Sequence, residues 1–228
     1  IASSRFEQKA MASNDALTDL RVVHLPTGAL TVVEVKETDD GCRDVVVKEE
    51  SGGKYQFQLV RDDRKGYWVV DDVVVRQRKN GTRIAKSTTE VMDLLVTLRR
   101  FLDVWKTGSR EEILAMTSPE LSTSLRPLPD KWMQALTAKI ASSYEDGMAR
   151  KPEANLTDDE AVVKLPAKNG HLLMNIVRGS EGWLVHDVEA INHKEANRPG
   201  SVRRQADAIN AVNAFLTAYR AEDRETLK

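Results

Sequence analysis

The chain has 228 residues, of which 34 are Lys or Arg and 35 are Asp or Glu, so its formal net charge is −1. This balance argues against a dedicated nucleic-acid or membrane-surface binder. A single cysteine, Cys42, excludes an internal disulfide framework and a zinc site of several cysteines. No apolar run approaches the roughly 20 residues of a membrane-spanning helix.

The amino-terminal third is predicted to be rich in strands. Short apolar runs separated by Gly- and Asp-containing turns predict five of them, at 18–24, 29–36, 43–49, 54–61 and 66–76. We therefore expect residues 1–85 to be mainly an antiparallel sheet, the partial copy of a module whose leading helix is largely missing. Because the chain starts at Ile1 with no signal-peptide pattern, we expect a processed product or a fragment.

A basic run follows the last of these strands. It comprises Arg76, Arg78, Lys79, Arg83 and Lys86. The pair at 80–81, Asn-Gly, predicts a hairpin tip in its middle. A solvated turn is the favoured interpretation, and contact with an acidic partner is the alternative.

Residues 88–106 are predicted to form an amphipathic helix. Their apolar residues recur at steps of three and four and comprise Val91, Leu94, Leu95, Leu98, Phe101, Leu102 and Trp105. Ser109, with Glu112 three residues on, predicts a capping box for a second, short helix. A third helix is predicted at 130–143.

The pattern then changes to the period of two that is typical of strands. Strands are predicted at 160–165, 171–178 and 182–190. Helices first and an antiparallel meander afterwards is an α+β order. The stretch from 202 is again helical, and its apolar stripe comprises Ile209, Val212, Phe215, Leu216 and Tyr219. We expect this stripe to be covered, either by this chain or by a neighbouring copy.

Two parts of the chain match one another at a domain-sized spacing. Trp68 and Trp183 lie 115 residues apart in the segments Gly-Tyr-Trp-Val-Val-Asp-Asp-Val and Gly-Trp-Leu-Val-His-Asp-Val. Phe101 and Phe215 start a second matching pair of segments, 114 residues apart. A period this long exceeds that of solenoid repeats and indicates a duplicated module.

The repeat predicts three parts of unequal completeness. Residues 1–85 are the partial module, 86–198 a complete helix-then-sheet module, and 199–228 the leading helix of a third module or a docking helix. The expected fold is thus α+β, with tandem modules in which leading helices precede a curved antiparallel sheet.

The helix-then-sheet order, with a late strand of the form Gly-Trp-Leu-Val-His-Asp-Val, resembles the cone-shaped α+β domains of the nuclear-transport-factor-like superfamily. The resemblance covers 86–192 fully and 15–76 in part. It implies a bacterial protein of tandem cone-like modules. Members of that superfamily include isomerases, dehydratases and plain binding or assembly modules, so fold alone does not decide function.

The interior of such a cone offers four pocket candidates: Trp68, Asp72, Trp183 and Asp187. An acid in an apolar pocket suits proton transfer, and strand alternation would put Asp187 on the face of Trp183 and Val185. The favoured interpretation is that these acids bond backbone groups at strand ends, and that the tryptophans are core. The four histidines show no metal-ligand spacing.

These patterns predict no catalytic residue, cofactor or metal. The function we expect is a structural or protein-interaction module within a larger chain or assembly. It would contact a protein partner or another copy through the carboxy-terminal stripe, or an acidic partner through Arg76, Arg78 and Lys79. The alternative is a small-molecule binder or isomerase-like enzyme that uses the interior of the cone. Cytoplasmic and exported locations both remain open.

Overall fold

The protein is α+β, as the sequence predicts. The computed structural model describes residues 1–20, 25–38, 41–62, 64, 66–79, 82–145, 153–157, 159–167, 170–192 and 200–221. Within these ranges there are six helices and two antiparallel sheets of five strands each. The chain divides into two compact units, Ile1–Val96 and Thr97–Lys228. The module boundaries expected from the repeat stay a prediction.

Unit 1 is one helix followed by a meander. Its elements are α1 (Ser4–Leu20), β1 (Leu30–Glu37), β2 (Arg43–Glu49), β3 (Lys54–Asp62), β4 (Tyr67–Lys79), β5 (Thr82–Ser87) and the start of α2 (Thr88–Thr107). Sheet 1 has the order β1-β2-β3-β4-β5, with every neighbouring pair antiparallel. Consecutive strands are therefore joined by hairpins.

α1 corrects the strand predicted at 18–24. Residues 18–20 belong to this helix, and 21–24 lie outside the described residues. The side chain of Ser3 accepts a hydrogen bond from the backbone N–H of Phe6 at 3.0 Å, and Glu7 lies in the first turn. Both features favour a helix start. The apolar residues within 18–24 favoured a strand, so the helix was not predicted from the sequence.

One face of sheet 1, which we call its inner face, holds the core of unit 1. Val47, Tyr55 and Val73 form the buried centre. Half-buried apolar side chains pack against it, namely Phe6, Val45, Phe57, Val70 and Val75. The pairing register places Val32 opposite Val47 and Val35 opposite Val45, so β1 extends the same face.

Unit 2 has more helical cover. After the end of α2 it contains α3 (Arg110–Ala115), α4 (Pro119–Leu125), α5 (Asp130–Glu145), β6 (Glu153–Leu156), β7 (Glu160–Ala167), β8 (Gly170–Gly179), β9 (Gly182–Asn192), β10 (Gly200–Ser201) and α6 (Val202–Arg220). Sheet 2 has the order β10-β9-β8-β7-β6. The helices predicted at 88–106 and 130–143 and the strands at 160–165, 171–178 and 182–190 are confirmed, as is the capping box of Ser109 and Glu112.

The inner face of sheet 2 is buried, and helices of unit 2 contact this sheet. α5 contacts β7, and both α4 and α6 contact β9. The buried residues of this face are Val163, Leu165, Leu172, Met174, Ile176, Trp183, Val185 and Val188. The predicted stripe of α2 is buried along its whole length, and Phe101 and Trp105 contact each other with ring centroids 4.2 Å apart.

Candidate functional site

Asp187 is buried and joins β9 to the start of α6. Its Oδ1 accepts hydrogen bonds from the backbone N–H groups of Val188 at 2.8 Å and Arg203 at 3.1 Å. Its Oδ2 accepts from the hydroxyl of Ser201 at 2.5 Å. Ser201 Oγ in turn accepts from the backbone N–H of Arg204 at 3.2 Å. The carboxylate and the hydroxyl together satisfy N–H groups that a helix start otherwise leaves without partners.

Asp72 makes the same set of contacts in unit 1. Its Oδ1 accepts from the N–H groups of Val73 at 2.8 Å and Thr89 at 3.0 Å, and its Oδ2 accepts from the hydroxyl of Ser87 at 2.5 Å. Ser87 Oγ accepts from the N–H of Glu90 at 3.1 Å. Each of these residues precedes its counterpart in unit 2 by 114 or 115 positions. We call each set of one aspartate and one serine a helix clamp.

A β-bulge changes the face on which Asp187 lies. β8 and β9 pair Ile176 with Val185 but Asn175 with Asp187, so β9 has one extra residue between the two pairs. The alternation that would put Asp187 on the inner face beside Trp183 is therefore wrong. The same shift occurs between β3 and β4. The bulge turns each aspartate towards a helix start.

A second contact links α4 to the bulge of β9. Ser118 Oγ lies 3.1 Å from His186 Nδ1, and Glu120 Oε2 lies 3.6 Å from the same nitrogen. Ser118 Oγ also accepts from the N–H of Leu121 at 3.3 Å, and the Ser118 N–H donates to the carbonyl of Val185 at 2.9 Å. Ser118 is the N-cap of α4.

This trio differs from a nucleophilic relay. In a Ser-His-acid relay the hydroxyl and the acid occupy opposite nitrogens of the ring, whereas here both lie at Nδ1 of His186. Ser118 is fully buried. The pKa of Glu120 is lowered from its ordinary value, first by a hydrogen bond from its own backbone N–H and then by the Ser118 hydroxyl, with a further contribution from His186. The arrangement fastens a helix start.

Unit 1 has a matching contact in which the acidic and the basic residue have changed places. Ser3 Oγ donates to Asp71 Oδ1 at 2.6 Å, and Arg5 Nη2 lies 2.8 Å from Asp71 Oδ2. The Ser3 N–H donates to the carbonyl of Val70 at 2.8 Å. These residues also precede their counterparts by 115 positions. Sequence reasoning missed the four serines that stand just before a helix start at the predicted repeat spacing, namely Ser3, Ser87, Ser118 and Ser201.

The two tryptophans at matching positions differ in burial. Trp183 is buried, with the guanidinium carbon of Arg178 at 4.3 Å from its ring. Trp68 is half-buried, with the guanidinium carbon of Arg43 at 4.5 Å. Both contacts are of the cation–π type. Trp183 thus belongs to the core, as expected, and Trp68 keeps part of its ring accessible.

A pocket of about 260 Å³ lies elsewhere, in unit 2. It is lined by Gly108, Arg110, Glu111, Ile113, Asp130, Met133 and Gln134. The guanidinium of Arg110 donates to Asp130 Oδ1 at 2.6 Å, to the carbonyl of Leu128 at 2.9 Å and to the carbonyl of Arg126. Its donors hold the loop before α5. Among the described residues no group of three or more His, Cys, Asp or Glu side chains is arranged to hold a metal ion.

The basic run is only partly described. Arg76 donates to the side-chain carbonyl of Gln56, so its guanidinium is engaged on the sheet. Arg78 and Lys79 lie in β4, but their side chains are outside the description, as are residues 80–81 of the predicted tip. Contact with an acidic partner stays a prediction.

The apolar stripe predicted on α6 faces solvent. The helix buries Val202, Ala206 and Ala218, and the side-chain amide of Asn210 donates to the carbonyl of Ser124 at 2.8 Å. The α6 stripe is exposed at Val212, Phe215, Leu216 and Tyr219, with Ile209 half-buried. The rings of Phe215 and Tyr219 stack on one another with centroids 6.2 Å apart. Within unit 2 the described residues leave the stripe exposed, and what covers it stays a prediction.

Comparison with known proteins gives no significant match: no protein-family model, characterised protein or solved structure aligns with this chain. In the part of the chain that the structure describes, no helix is both long enough and apolar enough to cross a membrane.

Proposed function

We propose that this chain is a non-catalytic protein-interaction component built from two copies of one α+β module of the cone-shaped, nuclear-transport-factor-like type. The observation that carries the proposal is the exposed stripe of α6, an apolar helix face of four large side chains. Contiguous apolar patches on soluble proteins mark interaction sites more often than scattered apolar residues do. The α6 stripe is thus the docking surface of the chain.

The matched helix clamps support the duplication. Two aspartates, each one residue after a β-bulge, accept bonds from the same three kinds of donor. Contacts of this detail depend on register, turn length and helix start together, so independent origin is the weaker explanation. The acidic and basic residues change places between Arg5–Asp71 and Glu120–His186, as divergence of two copies produces when a contact is kept.

The hydrogen bonding of the buried acids supports a non-catalytic role. A general acid or base needs a free position towards substrate. In Asp72 and in Asp187 both carboxylate oxygens accept hydrogen bonds from backbone N–H groups and from the serine hydroxyl before a helix start. Their burial and their partners explain their presence without a substrate.

The test places a photo-reactive benzoyl-phenylalanine on α6 of the full chain, in the cells from which the chain comes. Position 215 lies in the stripe, and position 217 is also exposed but lies about 200° away around the helix. We expect polypeptide adducts from position 215 and none above background from position 217. Equal yields from the two positions, or no adduct from 215, would contradict the proposal.

A further inference from the structure

α6 repeats the pattern of α2 but not its burial. At a spacing of 114 residues, Phe101 corresponds to Phe215 and Trp105 to Tyr219. Phe101 is 0% exposed and Trp105 1%, whereas Phe215 is 57% exposed and Tyr219 65%. Both helices start from the same clamp, and each carries its aromatic pair four residues apart. The aromatic pair of α2 is thus buried, whereas the described residues of unit 2 leave the corresponding pair of α6 exposed.

The inner face of sheet 1 differs from that of sheet 2 in the complementary way. The strand registers make Val35 the counterpart of Ala154, and Phe57 that of Met174. Val35 is 58% exposed and Ala154 8%. Phe57 is half-buried, whereas Met174 is fully buried. In unit 2, α5 contacts β7, the strand next to the edge, while among the described residues of unit 1 the main helix-to-sheet contact is that of α1 with β4.

The exposed part of the inner face of sheet 1 is mostly apolar, and the Arg43 guanidinium lies over the ring of Trp68 at one end of it. It runs from Leu30, Val32 and Val35 on β1 to the half-buried Phe57 on β3 and Trp68 on β4. β1 is an edge strand, and long exposed apolar edges are surfaces that proteins usually cover. Unit 2 therefore carries an apolar helix face that its described residues leave exposed, and unit 1 carries an apolar sheet face whose β1 side its described residues leave exposed.

We infer that the α6 stripe of one chain docks on the inner face of sheet 1 of a second copy, so that copies associate head to tail. This inference rests on the proposed function and names its partner. The dimensions agree: the eleven residues of helix from Ile209 to Tyr219 span about 15 Å, and four strands from β1 to β4 span about 14 Å. The contact is heterologous, because the two surfaces differ, and it leaves a free surface at each end of the dimer.

The test measures the sedimentation of the full chain over a wide range of concentrations. Phe215→Asp puts a charge in the stripe, and Thr217→Asp puts the same charge on the opposite side of α6. Val35→Asp charges the inner face of sheet 1, and Thr31→Asp charges the other face of the same strand. All four positions are exposed, so each variant is expected to fold, which circular dichroism checks.

We expect Phe215→Asp and Val35→Asp each to weaken association by about 30-fold or more, as the loss of a central interface residue does. The two control variants should associate as the original chain does. An equimolar mixture of the two defective variants should form a species of two chains and nothing larger, because one intact stripe meets one intact sheet face.

Three results would overturn the inference. The original chain could remain a single chain at every concentration. Phe215→Asp could abolish association while Val35→Asp leaves it intact, which would mean that two stripes pair with each other. The mixture of variants could stay monomeric. Adducts from position 215 to a different protein, together with a monomeric chain, would leave the proposed function standing and reject this partner.

Discussion

Replacing Asp187 by Ala tests the helix clamp most directly. The change removes the acceptor of three hydrogen bonds, from the N–H groups of Val188 and Arg203 and from the hydroxyl of Ser201. The site is 7% exposed, so water replaces the lost acceptor poorly. The free energy of unfolding should therefore fall.

The magnitude follows from the donors that are left behind. A buried donor without a partner costs about 1–3 kcal/mol, and two backbone N–H groups are left in that state. We expect Asp187→Ala to cost about 4 kcal/mol in total. Asp187→Asn keeps an oxygen as acceptor and the shape of the side chain, so its cost should be about 1–2 kcal/mol.

Urea unfolding followed by tryptophan fluorescence measures these differences, and amide hydrogen exchange locates them. Val188 and Arg203 should lose protection first, because their bonds are the ones removed. Asp72→Ala should have the same effect on Val73 and Thr89 in unit 1.

Asp207→Ala is the matched control. Asp207 is exposed on α6, and surface changes away from special features stay within about 0.5 kcal/mol. A loss of less than about 1 kcal/mol in the free energy of unfolding of Asp187→Ala would refute the stabilising role of the helix clamp. This role is equally refuted if the alanine and asparagine variants lose the same stability, because the loss would then come from charge alone.

Three further changes have defined outcomes. Hydrogen bonds from the backbone and side chain of Ser109 lower the pKa of Glu112 from 4.5. The contribution of Glu112 to stability is therefore present above pH 4.5 and is lost as the pH falls through the lower pKa of the folded state. In an acid titration the melting temperature of Glu112→Gln should fall less than that of the original chain. In Gly108→Ala the new Cβ would lie 2.6 Å from the carbonyl oxygen of Val104, so a loss of about 1–3 kcal/mol is expected in urea unfolding; no loss would mean that the α2–α3 turn adjusts freely. Trp105 Nε1 is buried without a hydrogen-bond partner among the described residues. Trp105→Phe should therefore lower the free energy of unfolding by less than about 1 kcal/mol, because it also removes this unsatisfied N–H group. A calorimetric cost of several kcal/mol would show that the loss of indole packing dominates.

The elements with strong local periodicity were predicted from sequence. The stripe of α2, the capping box of Ser109 and Glu112, and strands β1 to β4 and β7 to β9 follow from spacing along the chain, whereas β6 and β10 were not predicted. Such spacing fixes which side chains share a face, because helix and strand have fixed periods. α1 escaped prediction because its helix start depends on Ser3, and its packing on Phe6 against a distant sheet.

The candidate site was predicted less well than the fold. The sequence singled out Asp72 and Asp187 from their matching positions, but it assigned Asp187 to the wrong face. A bulge of one residue reverses the alternation of side chains between the two faces of a strand, and no local pattern in β4 or β9 predicts the bulge. The serine partners lie 14 or 15 residues away along the chain, beyond the reach of spacing arguments.

The sequence by itself determined the α+β class, the order of most elements and the apolar faces of α2 and α6. The tertiary structure decided what those faces meet. The stripes of α2 and α6 are nearly alike as sequence, yet one is buried and the other faces solvent. The physical reason is that an apolar pattern fixes which side of a helix avoids water, whereas burial depends on whether another surface is present to cover it.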